Sequence, residues 1–289
     1  MIKFLLLFLL IPTYCIGQIS YTEEVIFKNQ KDIFKSKKIK QIKITGTHTE
    51  TTLVTLDENG SLSEVKSYCY RTNNLSQKSK YDSIGNKVYN VDYDYECNGT
   101  KRIETSYIYK DTLLLELKIK HKGSEIYDTS SKRVYDSLGR IVKYLSNTGL
   151  YDSFGYWEEY SYPNDSSQVK FRINRDSTII DKEISILNQN GQVIIRSTFY
   201  DKKKTYEVAY YYNKAYQLIR EVGYSYPSKE LSKKKLFTYD TSGKILRKDY
   251  NYSNKETYEI YKYNNEGLLI ETESKSSYGK SSKKYEYIY

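Results

Sequence analysis

The chain has 289 residues, of which 46 are Lys or Arg, 36 Asp or Glu and 35 Tyr, with 14 Gly, 3 Pro, 3 Cys, 2 His and a formal net charge of +10. So little Pro and Gly, set against aromatic positions that recur throughout, excludes a collagen-like or wholly disordered chain. Tyrosine must supply much of any core, and its ring suits the pleated surface of a strand better than a helix.

Lys3, an apolar run from Phe4 to Ile11, a break at Pro12 and small residues at Cys15 and Gly17 form the pattern of an export signal over residues 1–17. The run is far shorter than the roughly 20 apolar residues that span a bilayer. No later stretch approaches it, so no integral membrane segment is expected after signal removal, and the protein is expected in the periplasm, on the cell surface or secreted. Lipid anchoring at Cys15 is disfavoured by the bulky Tyr14 before it. Residues 18–38, with EEVIFKNQKDIFKSKK, read as an N-terminal cap over the first sheet edge, either a short helix or an extended segment.

From residue 39 to 289 a period runs through the chain. Its clearest units are LDENGSL at 56–62, YDSIGNKV at 81–88, YDSLGRIV at 135–142, LNQNGQVI at 187–194, YDTSGKIL at 239–246 and YNNEGLLI at 263–270. Their glycines are separated by 25, 54, 52, 52 and 24 residues, and degenerate copies fill the long gaps at 109–115, 162–169 and 212–219. In the last of these, Tyr216 takes the glycine position. The repeat is therefore about nine units of about 26 residues. Secondary turn signals such as Asn73-Asn74, Lys122-Gly123 and Arg175-Asp176 divide each unit into two strands.

The strand segments alternate as half-buried strands do. Tyr89, Val91, Tyr93 and Tyr95 share one face and Asn90, Asp92 and Asp94 the other; Ile103, Thr105, Tyr107 and Tyr109 repeat the pattern, as do Tyr285, Tyr287 and Tyr289. The expectation is that the tyrosine face is the covered one. In YDSIG the Asp82 carboxylate accepts backbone N–H groups ahead of it while Gly85 supplies a positive φ, and Asp136 with Gly139 and Asp240 with Gly243 are placed alike. About eighteen strands spaced 4.8 Å apart would make an open ribbon roughly 86 Å wide, a breadth that normally curls or splits. The fold class is thus all-β: an antiparallel β-hairpin repeat meander, curled or wrapped as a single sheet.

YDSIG, YDSLG and YDTSG, each followed by strand-like residues, resemble the YD repeats of the Rhs and teneurin class, strongly in three units and loosely in six over about residues 50–289. The resemblance implies a spiralling β-sheet shell or surface-contact scaffold, with Asp82, Gly85, Asp136, Gly139, Asp240 and Gly243 as structural turn residues and no catalytic residue carried over. The shorter units are also similar to MORN-type bacterial repeats.

Chemistry-bearing residues are sparse. His48 and His121 fall in different units, and no signature of a hydrolase elbow, zinc protease or nucleotide-binding loop occurs, so neither a metal nor a cofactor is expected. Cys69 and Cys97 are an even pair in an oxidising compartment and permit one disulfide. The lysine clusters at 202–204 and 233–235 read as solvated edge lysines, not as a nucleic-acid site. The functional expectation is a bacterial, secreted or envelope-associated, non-catalytic repeat scaffold that binds a protein or cell-envelope component. Two alternatives stand beside it: a glycan-binding module that stacks sugars on exposed Tyr and the sole tryptophan, Trp157, or a carboxylate-pair hydrolase.

Overall fold

The computed structural model describes residues 21–46, 51–69, 72–93, 100–146, 156–252, 255–277 and 279–289. Two short helices come first, α1 (Tyr21–Asn29) and α2 (Lys31–Ser36). They are followed by β1 (Gln41–Gly46), β2 (Thr51–Leu56), β3 (Leu62–Tyr68), β4 (Leu75–Tyr81), β5 (Lys87–Tyr93), β6 (Lys101–Lys110) and β7 (Leu113–His121). Next come β8 (Asp128–Tyr135), β9 (Ile141–Ser146), β10 (Tyr156–Asn164), β11 (Ser167–Asn174), β12 (Ile179–Leu187), β13 (Val193–Tyr200) and β14 (Lys203–Tyr212). The series ends with β15 (Leu218–Ser225), β16 (Glu230–Tyr239), β17 (Ile245–Tyr252), β18 (Lys255–Tyr263), β19 (Leu269–Ser276) and β20 (Gly279–Ile288).

Each strand pairs antiparallel with the next, and β1 pairs with β20, so the sheet is one closed up-and-down barrel. The strands number 20 against the eighteen expected. The nine repeat turns each join an even-numbered strand to the following odd one, which accounts for β2 to β19 and puts all nine turns at one end of the barrel. The two further strands form the closing seam, with Gln41 opposite Ile288 and Ile44 opposite Tyr285. No periodic signal marks closure, because a repeating ribbon has the same pattern open or shut.

The cap segment is helical and lies inside the barrel. Lys28 reaches Gly85 in the β4–β5 turn, Gly60 in the β2–β3 turn abuts Lys31 and Lys35, and Gln30 donates to the Gly267 carbonyl in the β18–β19 turn at 2.6 Å. Val25 and Asn29 share a cavity with Gln217 of the β14–β15 turn. Along the sheet, the β4–β5 and β14–β15 turns are about ten strand spacings apart, or roughly 48 Å. The two helices, at roughly 14 and 9 Å, meet both only by crossing the concave side.

The face that carries Ile42 is therefore the lumenal face, and the register of directly opposed residues carries that assignment around the ring. Ile42, Ile44, Val54, Val65, Tyr81, Tyr261 and Tyr285 join Ile26, Phe27 and Phe34 of the plug in the hydrophobic core. Phe27 and Phe34 are 1% and 0% exposed, and burial of this order stabilises by about 1.5–3 kcal/mol per side chain.

In β5 the faces are reversed from expectation. Asn90 and Asp92 pair with Ser79 and Gln77 on the lumenal side, where Ser79 donates to Asn90 and Gln77 to Asp92, both at 2.8 Å. Tyr89, Val91 and Tyr93 consequently face outward, and the Tyr89 hydroxyl donates to Glu104; Tyr95 lies outside the described residues. A tyrosine serves either face because its ring packs on neighbours while its hydroxyl stays hydrogen-bonded. Tyr285 and Tyr287 are lumenal, beside the plug.

Candidate functional site

The repeat turns share one geometry. The Asp82 carboxylate accepts the N–H groups of Ile84 (3.1 Å) and Asn86 (2.8 Å), Asp136 those of Leu138 (3.0 Å) and Arg140 (2.9 Å), and Asp240 those of Ser242 (2.9 Å) and Lys244 (2.8 Å). Gly85, Gly139 and Gly243 follow at φ of 83°, 74° and 87°. Asp57, Asn188, Asn213 and Asn264 hold their turns the same way. The Arg140 backbone N–H holds the Asp136 carboxyl below the usual carboxylate range. At Asp240 burial pushes upward, but the hydrogen bonds from Ser242 and Lys244 outweigh it and the net direction is again down. These carboxylates are committed to the turns.

Sequence reading gave the tyrosine ahead of the turn no role beyond packing, whereas the structure gives it a bond to the preceding unit. Tyr135 donates its hydroxyl proton to Leu114 O (2.9 Å), Tyr162 to Ile141 O (3.0 Å), Tyr212 to Val193 O (2.9 Å), Tyr239 to Leu218 O (2.9 Å) and Tyr263 to Ile245 O (3.0 Å); on the closing strand, Tyr287 bonds to Leu269 O (2.6 Å) in the same way. Each acceptor lies just past the preceding unit's turn. The spacing of about 20 residues between donor and acceptor is the only trace of this in the sequence.

Opposite the plug, the polarity of the wall inverts. Under the helices the lumen is apolar, and the outer face of the same strands carries Lys43, Lys66, Lys78 and Lys80. Across β10 to β13 the lumenal positions are instead Glu158, Lys170, Arg172, Asp181, Glu183 and Arg196. Lys170 Nζ sits 3.7 Å from Glu158 and 3.6 Å from Glu183, Arg196 lies 3.5 Å from Glu183, and Arg172 pairs with Asp181. The Lys170 ammonium lies between the lumenal carboxylates Glu158 and Glu183. His121 is lumenal, opposite Ile103, while His48 lies outside the described residues. Among the described residues no cluster of His, Cys, Asp or Glu could hold a metal.

The outer face of these strands is correspondingly apolar. Trp157 opposes Leu145 and Ile173, Val169 opposes Ile184, Ile186 opposes Ile195, and Phe171 and Phe199 flank Lys182 in one cross-strand row. Ile186 is 41% exposed. At the end away from the repeat turns, Phe171, Ile180, Lys182 and Phe199 line a groove of about 470 Å³. One side of the Trp157 ring is taken by Lys143, 5.5 Å from its centroid, and its indole N–H donates to Glu159 at 3.1 Å. Cys69 is buried and disulfide-bonded; Cys97 lies outside the described residues. No helix among the described residues is long and apolar enough to cross a membrane.

No family model and no curated protein matches the chain. Solved structures to which the chain is similar include TcdB2-TccC3 without its hypervariable C-terminal region, at 15% identity and TM-score 0.33 over 80% of this chain. The match spans only 13% of the TcdB2-TccC3 chain. A porin-like protein from Bacteroides uniformis is similar at 10% identity and TM-score 0.38, over 86% of this chain and 98% of its own. Another, from Bacteroides vulgatus, gives 9% and 0.34 over the same shares. At these identities and scores the likeness carries no argument about activity.

Proposed function

We propose that the protein is an exported, non-catalytic repeat barrel that binds a protein or cell-envelope component through the outer face of β10–β13. The observation that supports this reading is the inverted wall: an outer surface of partly exposed Trp157, Val169, Phe171, Ile184, Ile186 and Phe199, crossed by Lys182 and backed by ion pairs in the lumen. Large exposed apolar patches on otherwise polar surfaces mark contact sites, and the groove between Phe171 and Phe199 suits an anchoring side chain.

A contact face is favoured over a lipid-facing girdle by Glu64, Lys66, Lys78, Lys80, Glu271, Glu273 and Lys284, which occupy outer positions elsewhere on the ring. Charges such as Lys or Arg cost about 2–4 kcal/mol each at the middle of a lipid-facing wall. The scaffold reading is favoured over glycan binding because Lys143 covers one side of the Trp157 ring. It is favoured over hydrolysis because a cation bridges Glu158 and Glu183.

The test is capture from an envelope fraction by the wild-type chain and by Phe171→Asp and Ile186→Asp variants. Loss of the captured component in both variants, with the thermal midpoint lowered by no more than a few degrees, is expected. Undiminished capture would move the contact elsewhere and defeat the proposal.

A further inference from the structure

The groove of about 470 Å³ on the outer face lies between the tips of the β11–β12 and β13–β14 hairpins. Its walls are apolar. Phe171 and Phe199 stand directly opposite Lys182 on either side, and Ile179 and Ile180 continue the surface toward the rim, where Ile179 is 62% exposed. A groove of this size accommodates a bulky side chain together with the backbone that carries it.

Charge gives the groove a preference. On these strands and their neighbours, Lys170 meets Glu158 and Glu183, Arg172 meets Asp181, Lys143 meets Glu159 and Lys204 meets Glu207. Lys182, by contrast, joins no ion pair among the described residues, and its Nζ lies 5.6 Å from the centroid of the Phe171 ring that lines the groove with it. Of the other charged residues in the lining, Asp181 is taken by Arg172, and Asp201 is offset by its neighbour Lys202. One positive charge is left uncompensated beside apolar surface, where an ammonium attracts an anion more strongly than in open water. Each phenylalanine is one strand away from Lys182, about 4.8 Å, so a matching ligand carries its carboxylate and its apolar body within about one residue of each other. A polypeptide does that at its C-terminal end, where the last residue bears both a free carboxylate and a side chain.

We propose that the groove takes the C-terminal residue of a partner polypeptide, a bulky apolar residue whose free α-carboxylate pairs with Lys182 and whose side chain lies against Phe199 and Ile180. This anchor rests on the outer face being the contact surface proposed above, and it adds the chemistry of the group held there.

The experiment is calorimetric titration of the exported chain with N-acetyl-Leu-Phe and with its C-terminal amide. The acid is expected to bind once per chain, at least about tenfold more tightly than the amide, the size of effect a charge-assisted hydrogen bond supplies. Lys182→Met keeps an unbranched stem between the two rings and should bring the acid down to the affinity of the amide, while Lys182→Arg should restore most of the preference. Absence of binding, equal affinity for acid and amide, or a preference that survives Lys182→Met would each overturn the proposal. Tighter binding of octanoate than of the peptide would do the same, by marking the groove as a site for a lipid acid. The contact-surface reading is judged apart: envelope capture lost in Phe171→Asp and Ile186→Asp but undiminished in Lys182→Met would keep that surface and refute the carboxylate anchor.

Discussion

Two glycines with nearly the same backbone separate turn geometry from plug contact. Gly60 and Gly191 have φ of 75° and 73°, but a Cβ on Gly60 would lie 2.5 Å from Lys31 O and 2.9 Å from Lys35 N, whereas Gly191 has nothing within 4 Å. Both alanine variants incur the left-handed penalty of about 1–2 kcal/mol. Only Gly60→Ala must also displace α2 backbone, which adds about 1–3 kcal/mol of overpacking. Denaturant melts are expected to rank Gly60→Ala well below Gly191→Ala; equal midpoints would mean that the helices do not rest on that turn. Tyr216 poses the converse case. It holds φ of 61° and is 59% exposed, so Tyr216→Gly relieves strain of about 1 kcal/mol while costing a similar amount of chain entropy. The melting midpoint should stay level or rise, and a fall of several degrees would contradict the turn geometry.

At the level of strands and turns, legibility in the sequence followed local chemistry. The Asp or Asn and Gly positions were readable because a carboxylate or amide that accepts two N–H groups and a residue at positive φ are local demands that few residue types satisfy. Which face of a strand looks inward was not readable. Alternation defines two faces without ranking them, and β5 turns Asn90 and Asp92 inward while β10 turns Glu158 inward and Trp157 outward. The outer surface proposed as the contact site was hidden for the same reason, as was the entry of α1 and α2 into the barrel, where Gln30 bonds to the β18–β19 turn 237 residues away.

The lumenal tyrosines give the whole barrel a pH limit. Burial pushes the phenols of Tyr160, Tyr263, Tyr285 and Tyr287 well up, helped at Tyr285 by Glu23 and at Tyr160 by Glu158. A phenol whose folded pKa exceeds its unfolded value of about 10 contributes stability that is complete below that pH and is lost as pH rises toward the folded value. The melting midpoint is therefore expected to hold from neutrality to about pH 9 and fall beyond about pH 10, with tyrosinate absorbance rising in the same cooperative step as unfolding. Noncooperative titration of all tyrosines, with the barrel intact, would show that these rings are open to solvent.

The β1–β20 seam brings together residues as far apart as Gln41 and Ile288, nearly the whole length of the barrel. Ring closure over that contour costs roughly 5 kcal/mol of chain entropy on a logarithmic scaling. Folding can propagate from hairpin to hairpin, but the last join waits until every other rung is present. Until then the half-made cylinder shows two raw β edges, each a template for a stranger's strand. The plug, just upstream of β1 and bonded through Lys37 to Glu266 at 2.5 Å and through Glu23 to Lys283 at 3.1 Å, ties the start of the ribbon to its last strands beside the seam.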